Sequence, residues 1–190
     1  KVITFLAMLH LLFGGLGAAL FTRERLGPAA ALLAGLVWML GGYQLLRITT
    51  GVIIFVYAFA WVPWMLWAAE RQSLVRGRPL LWTALLALFG GMQLLVGAPQ
   101  IVQITWTGLL VWTLARIIAA RHVPERSLIG LGFLAAAALA LLIAVPPLAA
   151  GARFQSEAWP RAAGDEWAFL SDGSLEWSAV LTWLYPEFFA

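Results

Sequence analysis

Between Pro79 and Ala115 the chain runs for 37 residues without an Asp, Glu, Lys or Arg. One bilayer crossing uses about 20 apolar residues, so this stretch is too long for a single helix. Its natural break is Gly97-Ala98-Pro99-Gln100. Proline removes a donor and pushes the preceding residue away from helix, while glycine tolerates the turn. Two helices folded back on each other are therefore predicted. The same reading along the chain predicts six spans bounded by charge or by Gly and Pro: Val2 to Phe21, Gly27 to Leu46, Gly51 to Ala69, Pro79 to Val96, Pro99 to Ala119 and Ser127 to about Ala149. Backbone groups in hydrocarbon have no water to bond, so all six are expected to be helices, and the period-two alternation of a β-barrel is absent. The predicted fold class is an all-α, polytopic transmembrane helical bundle.

From Arg153 onward the pattern changes to charges, Pro160 and dense aromatics. The expected division is a six-helix transmembrane domain, 1–152, and an interfacial tail, 153–190. Within the tail, a short amphipathic helix from about Ser174 to Leu184 would lie on the membrane surface, capped by Ser174 and stopped by Tyr185-Pro186.

Composition sharpens this picture. A chain of 190 residues that is 63% hydrophobic and 11% charged cannot hide its apolar surface in a water-soluble core. The net charge of +3 does not point to nucleic acid, because the arginines are spread over short connectors and form no single basic face. No cysteine is present, which removes disulfides and thiolate metal sites. The chain starts at Lys1 inside an apolar run, so an internal portion of a longer protein is expected.

Orientation follows from the arginines. The first, third and fifth connectors hold Arg23, Arg25, Arg71, Arg76, Arg78, Arg116, Arg121 and Arg126, whereas the tail holds six acids. The positive-inside bias places these connectors in the cytoplasm and the tail outside. Small residues, among them Gly14-Gly15, Gly41-Gly42 and Gly90-Gly91, are expected to bring helix backbones close together. Trp61, Trp64 and Trp67 step by three along one face and, with the tryptophans of the tail, read as membrane anchors.

Polar groups at membrane depth are the candidates for chemistry. Gln93, Gln100 and Gln103 surround the Gly-Ala-Pro break, where they could bind a polar head group or satisfy carbonyls freed by Pro99. His10 lies eight residues into the first span and could ligate a cofactor, or bond to a neighbouring helix. Asp165 and Glu166 in the tail could hold a divalent cation, or simply be solvated. Arg153 and Arg161 are placed to meet a lipid phosphate. The spans show no inverted internal symmetry and carry no buried ion pair, which argues against a transporter.

The order of motifs resembles the YfhO-like family of bacterial membrane proteins, relatives of the GT-C type glycosyltransferases. The matching pieces are HLLFGGLGAALFTRERLG at 10 to 27, AGLVWMLGGY at 34 to 43, AWVPWMLWAAER at 60 to 71, QLLVGAPQ at 93 to 100 and LTWLYPEFFA at 181 to 190. The resemblance implies transfer of a sugar from a polyprenyl-phosphate donor on the outer face. It also implies a catalytic Asp in an outer loop ahead of the matched region, and no residue here corresponds to it. Ala98 stands where the family tends to have His. The alternative reading is a non-catalytic accessory subunit of a larger membrane assembly, with the bilayer and other membrane subunits as partners.

Overall fold

The structure is a computed structural model that describes residues 2–74 and 78–158, the last five of them by backbone alone. It is all-α. The described helices are α1 (Val2–Leu40), α2 (Gly42–Thr49), α3 (Ile53–Phe59), α4 (Val62–Ser73), α5 (Pro79–Val96), α6 (Pro99–Ala119), α7 (Val123–Ile143) and α8 (Val145–Ala158). Five segments are long and apolar enough to cross a membrane: Val2–Thr49, Ile53–Ser73, Pro79–Val96, Pro99–Ala119 and Val123–Ile143.

The first of these holds two of the six predicted spans, because α1 doubles back on itself. Gly27 adopts φ 85°, ψ 179°, a conformation essentially confined to glycine, and Pro28 follows it. The arms on either side, 2–26 and 28–40, then lie against each other. A Cβ on Gly35 would stand 3.0 Å from the Gly15 carbonyl oxygen, and one on Gly15 would stand 3.1 Å from the Gly35 oxygen. Glycine at both positions is what allows backbone to touch backbone.

Other breaks fall at glycines, which tolerate non-helical backbone, and near prolines, which remove a ladder hydrogen bond. The second predicted span is interrupted at Gly41, which has ψ 140°, so that α2 is a separate helix. The third divides at Ala60 and Trp61, just ahead of Pro63, which leaves the Phe59 carbonyl without its usual donor. The last begins earlier than expected, at Val123, and ends at Ala144. Pro146 and Pro147 fall in the first turn of α8, where missing donors are tolerated, and the helix continues past Arg153, where the sequence pattern had placed the start of the tail. The predicted surface helix from Ser174 to Leu184 lies outside the described residues. The chain divides into two units, Lys1–Pro147 and Leu148–Ala190, and the packing below belongs to the first.

Within that unit α5 is central, packed most extensively on α7 and α4. Met65, Ala68 and Ala69 of α4, Leu86 and Ala87 of α5, Leu109 of α6, and Phe133 and Ala136 of α7 form the main core. A second cluster, Ala58, Ala98 and Ile101, closes the end where α3 meets the α5–α6 turn. Trp61, Trp64 and Trp67 are part of this interior and do not serve as outward anchors. Trp64 stacks on Phe13 at 4.7 Å and donates to the Phe13 carbonyl at 2.9 Å, while Trp61 meets Phe13 edge-on and Trp67 packs on Trp82. The outer surface of the helices is largely apolar, with Leu80, Ile118 and Leu131 well exposed. Helices so apolar on their outer faces are those of a membrane-embedded bundle.

Candidate functional site

The two ends of the bundle differ in chemistry. At the end formed by the α1 turn, the C-terminus of α4 and the start of α7, charged groups interlock. Glu70, with 14% of its side chain exposed, accepts from Arg25 at 2.6 Å and faces Arg116 at 4.0 Å. Arg116 Nε donates to Ser73 Oγ at 3.0 Å, Arg71 pairs with Glu24, and Trp67 donates to the same Glu24 carboxylate at 3.3 Å. Gln72, almost fully buried, donates to the carbonyls of Leu128 and Ile129 on α7 at 3.2 Å. It fits there because Gly132 leaves no Cβ in its path. Glu70, at the start of the third predicted connector, thus joins α1 to α6. Sequence reasoning missed this because it assigned Arg25 and Arg116 to connectors, without the side-to-side proximity that folding gives them.

Near the other end, one turn before α5 stops, lies the fully buried amide of Gln93. Its Nε2 donates to the Ala58 carbonyl at 3.2 Å and to Thr105 Oγ1 at 3.0 Å, while Thr105 donates to the Ile101 carbonyl at 2.7 Å. Ala58 lies in the last turn before the α3–α4 break. Gln93 therefore satisfies a carbonyl near Pro63, and not one freed by Pro99. Gln100 and Gln103 are exposed on α6 and make no contact with Gln93, so the three amides do not converge on one head-group site.

The remaining predicted residues are scattered. His10 is half-buried, its Nδ1 2.8 Å from the Leu6 carbonyl and its ring 4.4 Å from that of Tyr57. The Nδ1 contact is a donation in the tautomer that leaves Nε2 bare. Arg153 is exposed on α8. Arg161, Asp165 and Glu166 lie outside the described residues. Among the described residues no three His, Cys, Asp or Glu side chains gather as a metal site would require.

The feature with room for a ligand is one the sequence did not single out. An apolar groove of about 660 Å³ runs along both arms of α1 and the facing sides of α2, α3 and α4. Leu66, Phe59 and Pro63 line one side, Val37 and Trp38 another, and Ala18 and Phe21 the third. Tyr43 and Gln44 of α2 complete it. Gln44 is 4% exposed, and its side-chain oxygen Oε1 has no hydrogen-bond partner among the described residues. One turn further along α2, Arg47 lies with its guanidinium 5.0 Å from the Tyr43 ring and 4.6 Å from the Phe55 ring. The sequence signal was present: Arg47 is the only charged residue between Arg25 and Glu70. By position alone, directly after the second predicted span, it reads as an ordinary connector charge.

Fold and groove together define a polytopic, membrane-embedded helical bundle with an apolar cleft large enough for a lipid chain. Comparison with protein-family models, with curated proteins and with solved structures finds no match.

Proposed function

We propose that this chain is the lipid-handling portion of a GT-C type glycosyltransferase relative in a bacterial cytoplasmic membrane. In this reading the arginine-rich end faces the cytoplasm, segment 153–190 is extracytoplasmic, and the ligand is a sugar carried on a polyprenyl phosphate. The groove is the observation that carries it. Its lining is almost wholly apolar, as a polyprenyl chain requires, and it lies within helices that contact lipid, so a chain can enter without crossing water. The order of motifs from His10 to Ala190 supports the same reading. The catalytic carboxylate implied by the resemblance has no counterpart among these residues, so the role assigned to this chain is binding, with sugar transfer requiring an acid supplied from elsewhere.

The test is binding of a radiolabelled polyprenyl-phosphate sugar to the purified chain in phosphatidylcholine nanodiscs. Saturable binding is expected, and Ala34→Phe, which fills the groove, is expected to abolish it while leaving the thermal transition in place. Binding that Ala34→Phe leaves intact would sink the proposal.

A second reading, an accessory subunit packed against other membrane helices, draws on α6. Gln100, Gln103, Thr107 and Gly108 are all exposed on it, and nothing lies within 4 Å of a Cβ built on Gly108. Amides and small residues on an outer helix face are the usual contacts between membrane helices. Site-specific cross-linking from position 104 in native membranes decides: a discrete protein adduct favours this reading, and lipid adducts alone count against it.

A further inference from the structure

Resting on the groove reading above, we infer that Arg47 is the phosphate-binding residue of the groove, and that the ligand is a long apolar chain ending in a phosphate ester. Three observations meet here. Arg47 has no carboxylate within ion-pair distance among the described residues, in contrast to Arg25, Arg71 and Arg116, each of which has one. Its Nε is buried and has no hydrogen-bond partner among the described residues. Its guanidinium is held between Tyr43, which lines the groove, and Phe55.

Cation–π contact with two rings offsets part of the cost of removing the charge from water, and it fixes the plane of the guanidinium without using its N–H donors. Those donors form a fork matched to two oxygens of a phosphate. A half-buried guanidinium with its Nε sealed off and no carboxylate beside it among the described residues is a site that an anion completes. The neighbouring groove selects what the anion is attached to. Its walls accept a hydrocarbon chain. A lipid with an uncharged head group would leave Arg47 unmatched. A free phosphate would leave the groove unfilled.

The experiment compares polyprenyl phosphate with the corresponding polyprenol, both radiolabelled, on the full chain in phosphatidylcholine nanodiscs. The wild type is expected to bind the phosphate about tenfold tighter than the alcohol, as a charge-assisted fork implies. Arg47→Gln is expected to erase that preference while polyprenol affinity stays unchanged, which also shows that the groove remains folded. Arg47→Lys, which keeps the charge but loses the planar fork, is expected to retain only part of the preference. Competition by excess phosphatidylglycerol would identify a membrane phospholipid as the source of the phosphate, and absence of competition the polyprenyl lipid. A phosphate preference that survives Arg47→Gln overturns this inference and leaves the groove reading standing. Failure of the wild type to bind either polyprenyl lipid overturns both.

Discussion

Arg25 and Glu70 meet at 2.6 Å where the turn of α1 passes the C-terminal half of α4. Arg116 of α6 faces the same Glu70 oxygen at 4.0 Å, so one carboxylate ties together three helices that are far apart in sequence. Its second oxygen is buried and has no hydrogen-bond partner among the described residues. Because Arg25 is more than a third exposed, the pair is screened on one side, and Arg25→Gln or Glu70→Gln is expected to destabilise by about 1 to 2 kcal/mol, less than a fully buried pair would lose. The double-mutant cycle, read from denaturant unfolding in mixed micelles, is expected to give a coupling of at least about 0.5 kcal/mol. A coupling of zero would mean that the two side chains are neighbours without being partners.

Gln93 separates a structural role from a ligand-binding one. Its amide is fully buried and bonded to Ala58 and Thr105. Gln93→Leu keeps approximate volume but leaves the Ala58 carbonyl without this donor, at a cost of about 1 to 2 kcal/mol in lipid. Affinity for polyprenyl lipids is expected to be unchanged, since Gln93 does not line the groove. A Gln93→Leu variant with normal stability and weakened lipid binding would restore the head-group role that the sequence offered.

How far the sequence could be read depended on the range of the interaction. The solvent of the helices, the break at Gly97 to Pro99 and the close packing of small residues all follow from local composition, and the structure has each of them. Trp64 shows where this stops. Its spacing with Trp61 and Trp67 places three rings on one face, but spacing alone does not say whether that face meets lipid or protein, and Phe13 of a distant span decides it. Arg47 shows the same limit for function. As a residue it is a connector charge, and it becomes a candidate ligand only once Gly41 sets α2 apart as a separate helix and Tyr43 and Phe55 close on the guanidinium.

Gly27 tests whether the α1 hairpin depends on a single residue. At φ 85°, ψ 179° any side chain is strained, although nothing lies within 4 Å of a Cβ built there. Gly27→Ala is therefore expected to cost about 1 to 3 kcal/mol through backbone strain alone. Gly42→Ala, also in open space but in ordinary helical conformation, is the control and is expected to be neutral or stabilising by up to about 1 kcal/mol. Equal effects from the two substitutions would show that the turn is not held by backbone conformation.

The absence of cysteine makes the arrangement of the two ends directly measurable, because every introduced thiol is the only one in the chain. Thr50 and Gln100 are exposed at the end that holds Arg47, and Arg78 and Arg121 are exposed at the arginine-rich end. Single replacements by Cys at these four positions are expected to label with a membrane-impermeant maleimide in two groups. Thr50→Cys and Gln100→Cys should react in intact cells, while Arg78→Cys and Arg121→Cys should react only after the membrane is permeabilised, as the positive-inside bias requires. Reversal of the two groups would keep the bundle but invert its orientation, and the groove would then open near the cytoplasmic leaflet. Labelling of Thr50→Cys together with Arg121→Cys from one side is the more damaging result, since an odd number of crossings between positions 50 and 121 is what places Arg47 and the Glu70 cluster at opposite ends of the bundle.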